Sequence, residues 1–316
     1  MRRMLVVTVA AALVFSASSC GRGNPQGSDQ IAVALVLKTL NNPFFIDMQK
    51  GARDAAAKAG IHLIVQAAER EVDVEKQMQI IENLIQSKVA ALCITPSGSK
   101  EVVPAIVKAN RAGIPVVIVD TRVDGETLTN AGGKVAAFIG SDNYDGGRLA
   151  GEYIVKKLGG KGKVAILEGI PGHETGDSRL KGFHQAVAGS PGIEIVSSQT
   201  ANWERDQGYN VFQNVLQSHP DVQALFACSD LMALGAVEAI RAGGKTGKIT
   251  VVGFDAFSEA REAVKKGLMD ATVAQSPADM GRFAVEDAYR VLKGDPIQAD
   301  TSIKIKLITK ENVDEP

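Results

Sequence analysis

Ile114-Pro-Val-Val-Ile-Val-Asp120 returns 135 residues later as Ile249-Thr-Val-Val-Gly-Phe-Asp255. Gly60-Ile-His-Leu-Ile-Val-Gln66 returns as Gly192-Ile-Glu-Ile-Val-Ser-Ser-Gln199, and Ala91-Leu-Cys-Ile-Thr95 as Ala224-Leu-Phe-Ala-Cys228, at offsets of 132 and 133. A nearly constant offset with the order preserved means that one plan is used twice. Each repeated piece is a short β-branched run, and each is followed by an amphipathic stretch of about ten to eighteen residues. Such alternation is the mark of βαβ units and a parallel sheet. The pattern predicts strands at 31–37, 61–66, 90–94, 115–120, 136–140, 163–168, 193–198, 223–228, 249–254 and 271–275. Helices are expected at 44–59, 73–87, 100–111, 143–158, 205–217, 230–242 and 278–292 among others. The fold class is therefore α/β, with two Rossmann-like lobes.

The repeat carries a chemical consequence. Asp120 and Asp255 close equivalent strands, one in each lobe. Open α/β sheets bind ligands outside the carboxyl ends of their strands, so two facing lobes would bring both carboxylates to one cleft. An Asp after a strand also serves as a helix cap or turn residue; it is their equivalence that favours a site.

Length and composition narrow the occupant. The 316 residues hold 35 Lys and Arg against 36 Asp and Glu, a net charge of −1. The pI near 6.5 excludes the basic footprint of a nucleic-acid binder, and no polybasic patch is present to hold an anionic membrane. The chain has no GxGxxG after its first strand, no GxxxxGK[ST], no HExxH and no GxSxG. Phosphate cradling and nucleophile-elbow chemistry thus lack support. His62, His173, His184 and His219 show no ligand spacing and are expected on surfaces or loops, His173 within Pro171-Gly-His-Glu-Thr-Gly176 near the cleft. No metal and no cofactor is expected. Cys93 and Cys228 sit in apolar runs of different lobes, where two buried free thiols are expected rather than a disulfide.

Neutral-ligand chemistry remains. Asn41-Asn42-Pro43-Phe44-Phe45 follows the first strand directly, and the only tryptophan, Trp203, follows 193–198 in the other lobe. A flat apolar ring on each side of a cleft suits a sugar, whose C–H faces are apolar and whose rim is hydroxyl. Planar Asp, Asn, Gln and Arg groups can each take two neighbouring hydroxyls. The competing view makes Phe44 and Phe45 core residues of the first helix; beside Asn-Asn-Pro that is expected of one of the two, not of both.

The first thirty residues look like an address. Arg2 and Arg3 precede an apolar run from Met4 to Phe15, which breaks into Ser16-Ala-Ser-Ser-Cys20. This order matches a secretory signal at 1–19, too short to span a membrane. Small residues before Cys20 resemble a lipobox in which that cysteine is lipidated, although Ala17 stands where Leu is usual; the alternative is an ordinary signal with an incidental cysteine. Residues 20–30 have the composition of a flexible tether. Cleavage removes two arginines and no acid, taking the charge to −3. The expected location is periplasmic or at the cell surface, with a lipid anchor as the only membrane contact.

From Ile31 to about Lys310 the chain resembles the bacterial periplasmic sugar-binding proteins of the ribose- and allose-binding type. The matching wording is Thr39-Leu-Asn-Asn-Pro-Phe-Phe45, Ser141-Asp-Asn143, His219-Pro-Asp-Val-Gln-Ala224, Met232-Ala-Leu-Gly-Ala236, Val251-Val-Gly-Phe-Asp255 and Ala274-Gln275. The allose type shares the style of Val36-Leu-Lys-Thr-Leu40, Ala131-Gly-Gly133 and Ile166-Leu-Glu-Gly169. This resemblance implies a type I periplasmic binding protein: two lobes joined by a three-stranded hinge that close on a monosaccharide for an ABC importer. Crossings would fall near Ser141–Asp142, Gln275–Ser276 and Lys304–Ile305. The N-terminal lobe would be 30–141 and 276–304, and the C-terminal lobe 142–275 and 305–316. The implied contacts are Asn42, Phe44, Phe45, Asp120, Arg179, Trp203, Asp255 and Gln275; Arg179 comes from the resemblance alone. Lys38, Thr121 and Ser229 also belong to the implied site, and they depart from the ribose pattern. Lys38 is an ammonium where the ribose type has Ser, Thr121 replaces Arg, and Ser229 replaces Asn. The order of preference is an allose-like aldohexose, then ribose or another pentose, then a polyol, with a ketose or small signalling molecule as further alternatives. The implied partners are the permease and, secondarily, a chemoreceptor, with the binding protein itself a monomer. A regulator core would need a DNA-binding helix-turn-helix where the signal stands. A glycosidase using Asp120 and Asp255 would need one carboxyl with a raised pKa at a set separation; the family implied is not enzymatic.

Overall fold

The computed structural model describes residues 30–315, so the signal segment 1–19, Cys20 and nearly all of the tether lie outside the described residues. The first sheet contains β1 (Ala32–Thr39), β2 (His62–Ala68), β3 (Ala91–Ile94), β4 (Val116–Val119), β5 (Ala137–Ser141) and β11 (Asp300–Ile303), ordered β11-β5-β4-β3-β1-β2. The second contains β6 (Lys161–Glu168), β7 (Gly192–Thr200), β8 (Ala224–Ala227), β9 (Thr250–Asp255), β10 (Ala271–Ala274) and β12 (Lys306–Thr309), ordered β12-β10-β9-β8-β6-β7. The two orders superpose position by position. The three sequence echoes fall on β2 and β7, β3 and β8, and β4 and β9, which are equivalent strands. Every pairing is parallel except β10 with β12.

Helices cover both faces of each sheet, so the strands read as continuous apolar runs. Val33, Leu35 and Leu37 of β1 pack toward α1 (Pro43–Ala59) and α10 (Pro277–Lys293). Ala34 and Val36 face α2 (Val74–Gln86) and α3 (Val103–Arg111). One core cluster serves the second lobe and joins its sheet to α5 (Asn143–Lys157), α6 (Glu174–Ala188), α7 (Arg205–Ser218), α8 (Asp230–Ala242) and α9 (Ser258–Lys265). A short α4 (Gly125–Asn130) completes the set. The chain passes between sheets three times: after Ser141, after Ala274, and between Ile303 and Lys306.

Ten expected strands and seven expected helices are present, with ends moved by a few residues. Beyond them the structure adds β11 and β12, α4, α6 and α9. Cys93 and Cys228 are buried and free, Cys93 donating its S–H to the Ala284 carbonyl at 3.3 Å. Burial pushes both thiols up to about 12, which keeps them protonated and unreactive.

Candidate functional site

The carboxyl ends of both sheets meet at one cavity. Lys38, Asn42, Phe44, Phe45 and Asp120 line it from the first lobe; Arg179, Trp203, Ser229, Asp255 and Gln275 line it from the second or its edge. Ten of the eleven ligand candidates thus converge on one space. The eleventh, Thr121, is fully buried behind the wall, where it accepts from Lys38 Nζ at 2.8 Å and donates to Asp120 Oδ2 at 3.0 Å.

The two equivalent aspartates share an unusual backbone. Asp120 has φ +66° and Asp255 φ +118°, a region that L-residues with a side chain rarely enter. Trp203 is also left-handed, at φ +66°. Each such residue costs about 1–3 kcal/mol and persists only where its surroundings over-determine it. Around Asp120, the amide of Thr121 donates to Val119 and that of Asp120 to Ile139, both at 2.8 Å. Beside Asp255, the buried Asp230 receives the Ala256 amide at 2.6 Å and the Thr272 hydroxyl at 2.8 Å. The strain aims both carboxylates away from their own strands and into the cavity they line.

Electrostatics differ between the walls. In the first lobe, Lys38 lies 3.2 Å from Asp120 and 3.8 Å from Glu71, and 5.6 Å over the Phe45 ring. Its ammonium is satisfied by the protein itself. Asn42 caps α1 by accepting from the Phe44 amide at 3.0 Å and donates to Glu71 Oε1 at 3.0 Å. Phe44 and Phe45 meet edge to face at 5.3 Å. Both belong to the core of the lobe and both line the cavity, which corrects the expectation that only one of them is a core residue: the start of α1 packs on its own sheet and faces the cavity at once.

In the second lobe, Arg179 is the organising cation. It donates from Nε to Asn143 Oδ1 at 2.9 Å and from Nη1 to the Cys228 carbonyl at 2.6 Å, and lies 3.9 Å from Asp255. Its guanidinium stacks 3.7 Å from the Phe254 ring and 5.6 Å from that of Trp203. Gly147 lets α5 approach α6 here: a Cβ on it would stand 1.9 Å from the Arg179 carbonyl. Gly169 does the same for Trp203, whose ring would be 1.9 Å from an added Cβ. Gln275 donates to Asp255 Oδ1 at 2.8 Å, while its own Oε1 is buried without a hydrogen-bond partner among the described residues. Burial lifts Asp255 to about 7 against the opposing pull of Arg179 and Gln275, with the charges of Asp120 and Glu71 adding to the rise. Ser229 caps α8.

His173 lies in a loop as expected, but not at the surface. It is buried beneath the indole, and Trp203 Nε1 donates to its Nδ1 at 3.4 Å. Burial, reinforced by the charge of Lys38, lowers it to about 3, so the ring is neutral. The sequence also left two lining residues unnamed, Glu71 and Thr175. Both follow strand carboxyl ends, β2 and β6, and that position was the signal available. Across the mouth the lobes touch: the Glu174 amide donates to Ser99 Oγ at 3.3 Å and Arg70 stands 3.7 Å from Glu204. Among the described residues no cluster of His, Cys, Asp or Glu could hold a metal ion.

A neutral polyhydroxyl ring fits these walls: aromatic faces on both sides, carboxylates to receive hydroxyl protons, and a guanidinium to donate. Comparison with known proteins agrees in kind. The family model described as "Periplasmic binding protein domain" matches residues 33–296. The ribose import binding protein of Bacillus subtilis is 39% identical over 288 residues, 91% of this chain and 90% of that protein. The D-allose-binding periplasmic protein of Escherichia coli is 38% identical over 279 residues, 87% of this chain and 89% of that one. Among solved structures, an ABC transporter periplasmic solute binding protein from Actinobacillus succinogenes with bound D-allose superposes with a TM-score of 0.86 at 40% identity, covering 90% of this chain and 99% of that one.

Proposed function

The chain belongs to the periplasmic binding protein domain family, and from that premise we propose that its cavity holds one monosaccharide, contacted by Lys38, Asn42, Phe44, Phe45, Asp120, Arg179, Trp203, Ser229, Asp255 and Gln275. It is a substrate-binding protein of an ABC sugar importer, as its relatives are transport binding proteins. The observation that carries the ligand assignment is the meeting of Phe44 and Phe45 from one lobe with Trp203 and Arg179 from the other around one cavity. An allose-like aldohexose leads, followed by pentoses and polyols. Lys38 is already paired with Asp120 and Glu71, so an anionic or phosphorylated sugar gains little from it.

Mechanism follows from where the contacts sit. Each lobe supplies half of them, so the full set exists only when the lobes are together, and binding shifts the population toward closure. The lobes on this reading are 30–141 with 276–304, and 142–275 with 305–316, and the three sheet-to-sheet passages act as the hinge. The permease then recognises the closed protein; a chemoreceptor is a proposed second partner. The role is binding without catalysis: sugar incubated with the protein is recovered unchanged. The family is periplasmic, and Cys20 is the proposed lipid anchor. Replacing Cys20 by Ala should release the protein from the membrane fraction, and retention there would reject the anchor.

A thermal-shift panel of allose, ribose, xylose, glucose, galactose, fructose, psicose, arabinose, myo-inositol and linear polyols tests the assignment. A ligand at a hundredfold excess over its dissociation constant stabilises by about 2.7 kcal/mol. One sugar should raise the melting temperature clearly. A flat panel would remove simple sugars from the proposal.

A further inference from the structure

A second cavity lies beside the first and shares three of its residues, Asn42, Glu71 and Trp203. Its remaining lining includes Thr39, Asn41, Glu69, Arg70, Glu204 and Leu231. The partition between the two spaces is narrow. It consists of the Glu71 carboxylate, the Asn42 amide bonded to it at 3.0 Å, and the indole opposite. On its outer side the second cavity is bounded by Arg70 and Glu204, which face each other across the lobes.

The partition is built, since its loop is tied down at each end. The Glu69 carbonyl accepts from Thr39 Oγ1 at 2.7 Å and from Asn41 Nδ2 at 2.8 Å, while the Arg70 amide donates to Asp73 Oδ2 at 2.9 Å. Glu71 itself is 7% exposed and has Lys38 3.8 Å from its other oxygen. A buried carboxylate costs free energy unless it is paired and hydrogen-bonded, and Lys38 and Asn42 supply that pairing. Glu71 Oε1 takes one hydrogen bond from Asn42 and Oε2 faces the Lys38 ammonium at 3.8 Å; a carboxylate has about four lone-pair sites, so Glu71 retains acceptor capacity on the cavity side.

We propose that Glu71 is the end wall and specificity-determining residue of the sugar site, accepting a hydrogen bond from a ligand hydroxyl and barring any substituent that would pass into the second cavity. This rests on the monosaccharide assignment and adds that the site takes one unextended neutral ring. An O-alkyl group placed at that end meets the partition.

The test uses purified wild-type, Glu71→Gln and Glu71→Ala proteins, with melting temperatures checked without ligand. The probes are the sugar with the largest shift, its methyl glycosides and its 6-O-methyl ether. Wild type should bind the parent sugar and reject at least one methylated form. Glu71→Gln should keep that rejection and bind the parent about ten- to a hundredfold more weakly, the worth of a hydrogen bond to a charged group. Glu71→Ala should admit the rejected form. A Glu71→Ala protein that binds the parent like wild type and keeps the rejection overturns the inference while the sugar assignment stands. A wild type that binds no neutral sugar removes both.

Discussion

The indole Nε1 of Trp203 donates a hydrogen bond of 3.4 Å to Nδ1 of His173. The bond requires an unprotonated Nδ1, which agrees with a ring whose burial, with the charge of Lys38, holds its pKa near 3. His173 is thereby a positioning residue for the aromatic plate of the second lobe. Replacing it with Leu leaves a buried N–H unpaired and should cost about 1–3 kcal/mol, with Gln milder because it restores an acceptor. The pH dependence has a definite sign. The folded pKa lies below the ordinary 6.5, so between about pH 6.5 and 3 the unfolded chain takes up a proton that the folded one refuses. Wild type should therefore lose stability relative to His173→Leu as pH falls through that window, by at most about 1.4 kcal/mol per unit. Denaturant titrations of both proteins at several pH values check this; parallel curves would place a charged or exposed histidine there.

Asp255 predicts a pH dependence of binding. It is raised to about 7, first by burial and then by Asp120 and Glu71, while Arg179 and Gln275 oppose the rise; the neighbouring Asp230 is raised as well. A hydroxyl that donates to Asp255 favours the ionised form. Affinity should then weaken by up to about tenfold per unit as pH drops below 7, and level off above it. Calorimetry near pH 6.5 in two buffers of different ionisation enthalpy should show a proton released on binding. Proton uptake, or none, would mean that binding does not ionise Asp255.

Lys38 is read as a clamp. Its ammonium holds two buried carboxylates, Asp120 at 3.2 Å and Glu71 at 3.8 Å. Removing one partner of a buried charge group costs about 3–5 kcal/mol, because the remainder is left uncompensated. Lys38→Met should lower the stability by that order, and Lys38→Met combined with Glu71→Gln should recover part of the loss. Unfolding curves that show strict additivity would separate the two residues.

Gly169 tests the packing behind Trp203. A Cβ there would fall 1.9 Å from the indole, so Gly169→Ala must displace the ring. Overpacking of this kind costs about 1–3 kcal/mol. The protein should stay folded, with shifted Trp203 fluorescence and binding weakened more than tenfold. Wild-type affinity in Gly169→Ala would detach the ring from the ligand.

Much of this was legible because β-branched runs repeat at a steady offset, which exposed both lobes and paired Asp120 with Asp255. The strands β11 and β12 were not, since Asp-Thr-Ser-Ile and Lys-Leu-Ile-Thr are four-residue pieces at sheet edges that mix polar with apolar residues. Helix α6 begins in Glu-Thr-Gly-Asp just after Pro171-Gly172, wording that suggests a loop, and this hid Arg179 and Thr175 from a residue-by-residue reading. Glu71 sat in the charged stretch Glu69-Arg-Glu-Val-Asp73, which looks like solvated surface until the fold turns it inward. His173 misled for the related reason that burial of a loop depends on the opposite lobe.

On the proposed function one ligand is held by both lobes at once. The most direct measurement is a calorimetric titration of the best-shifting sugar into wild type, Asp120→Ala and Asp255→Ala, one variant from each lobe. Wild type should bind at one site per chain, and both variants should lose at least a hundredfold in affinity while remaining folded. Wild-type affinity in either variant would contradict a site shared between the lobes.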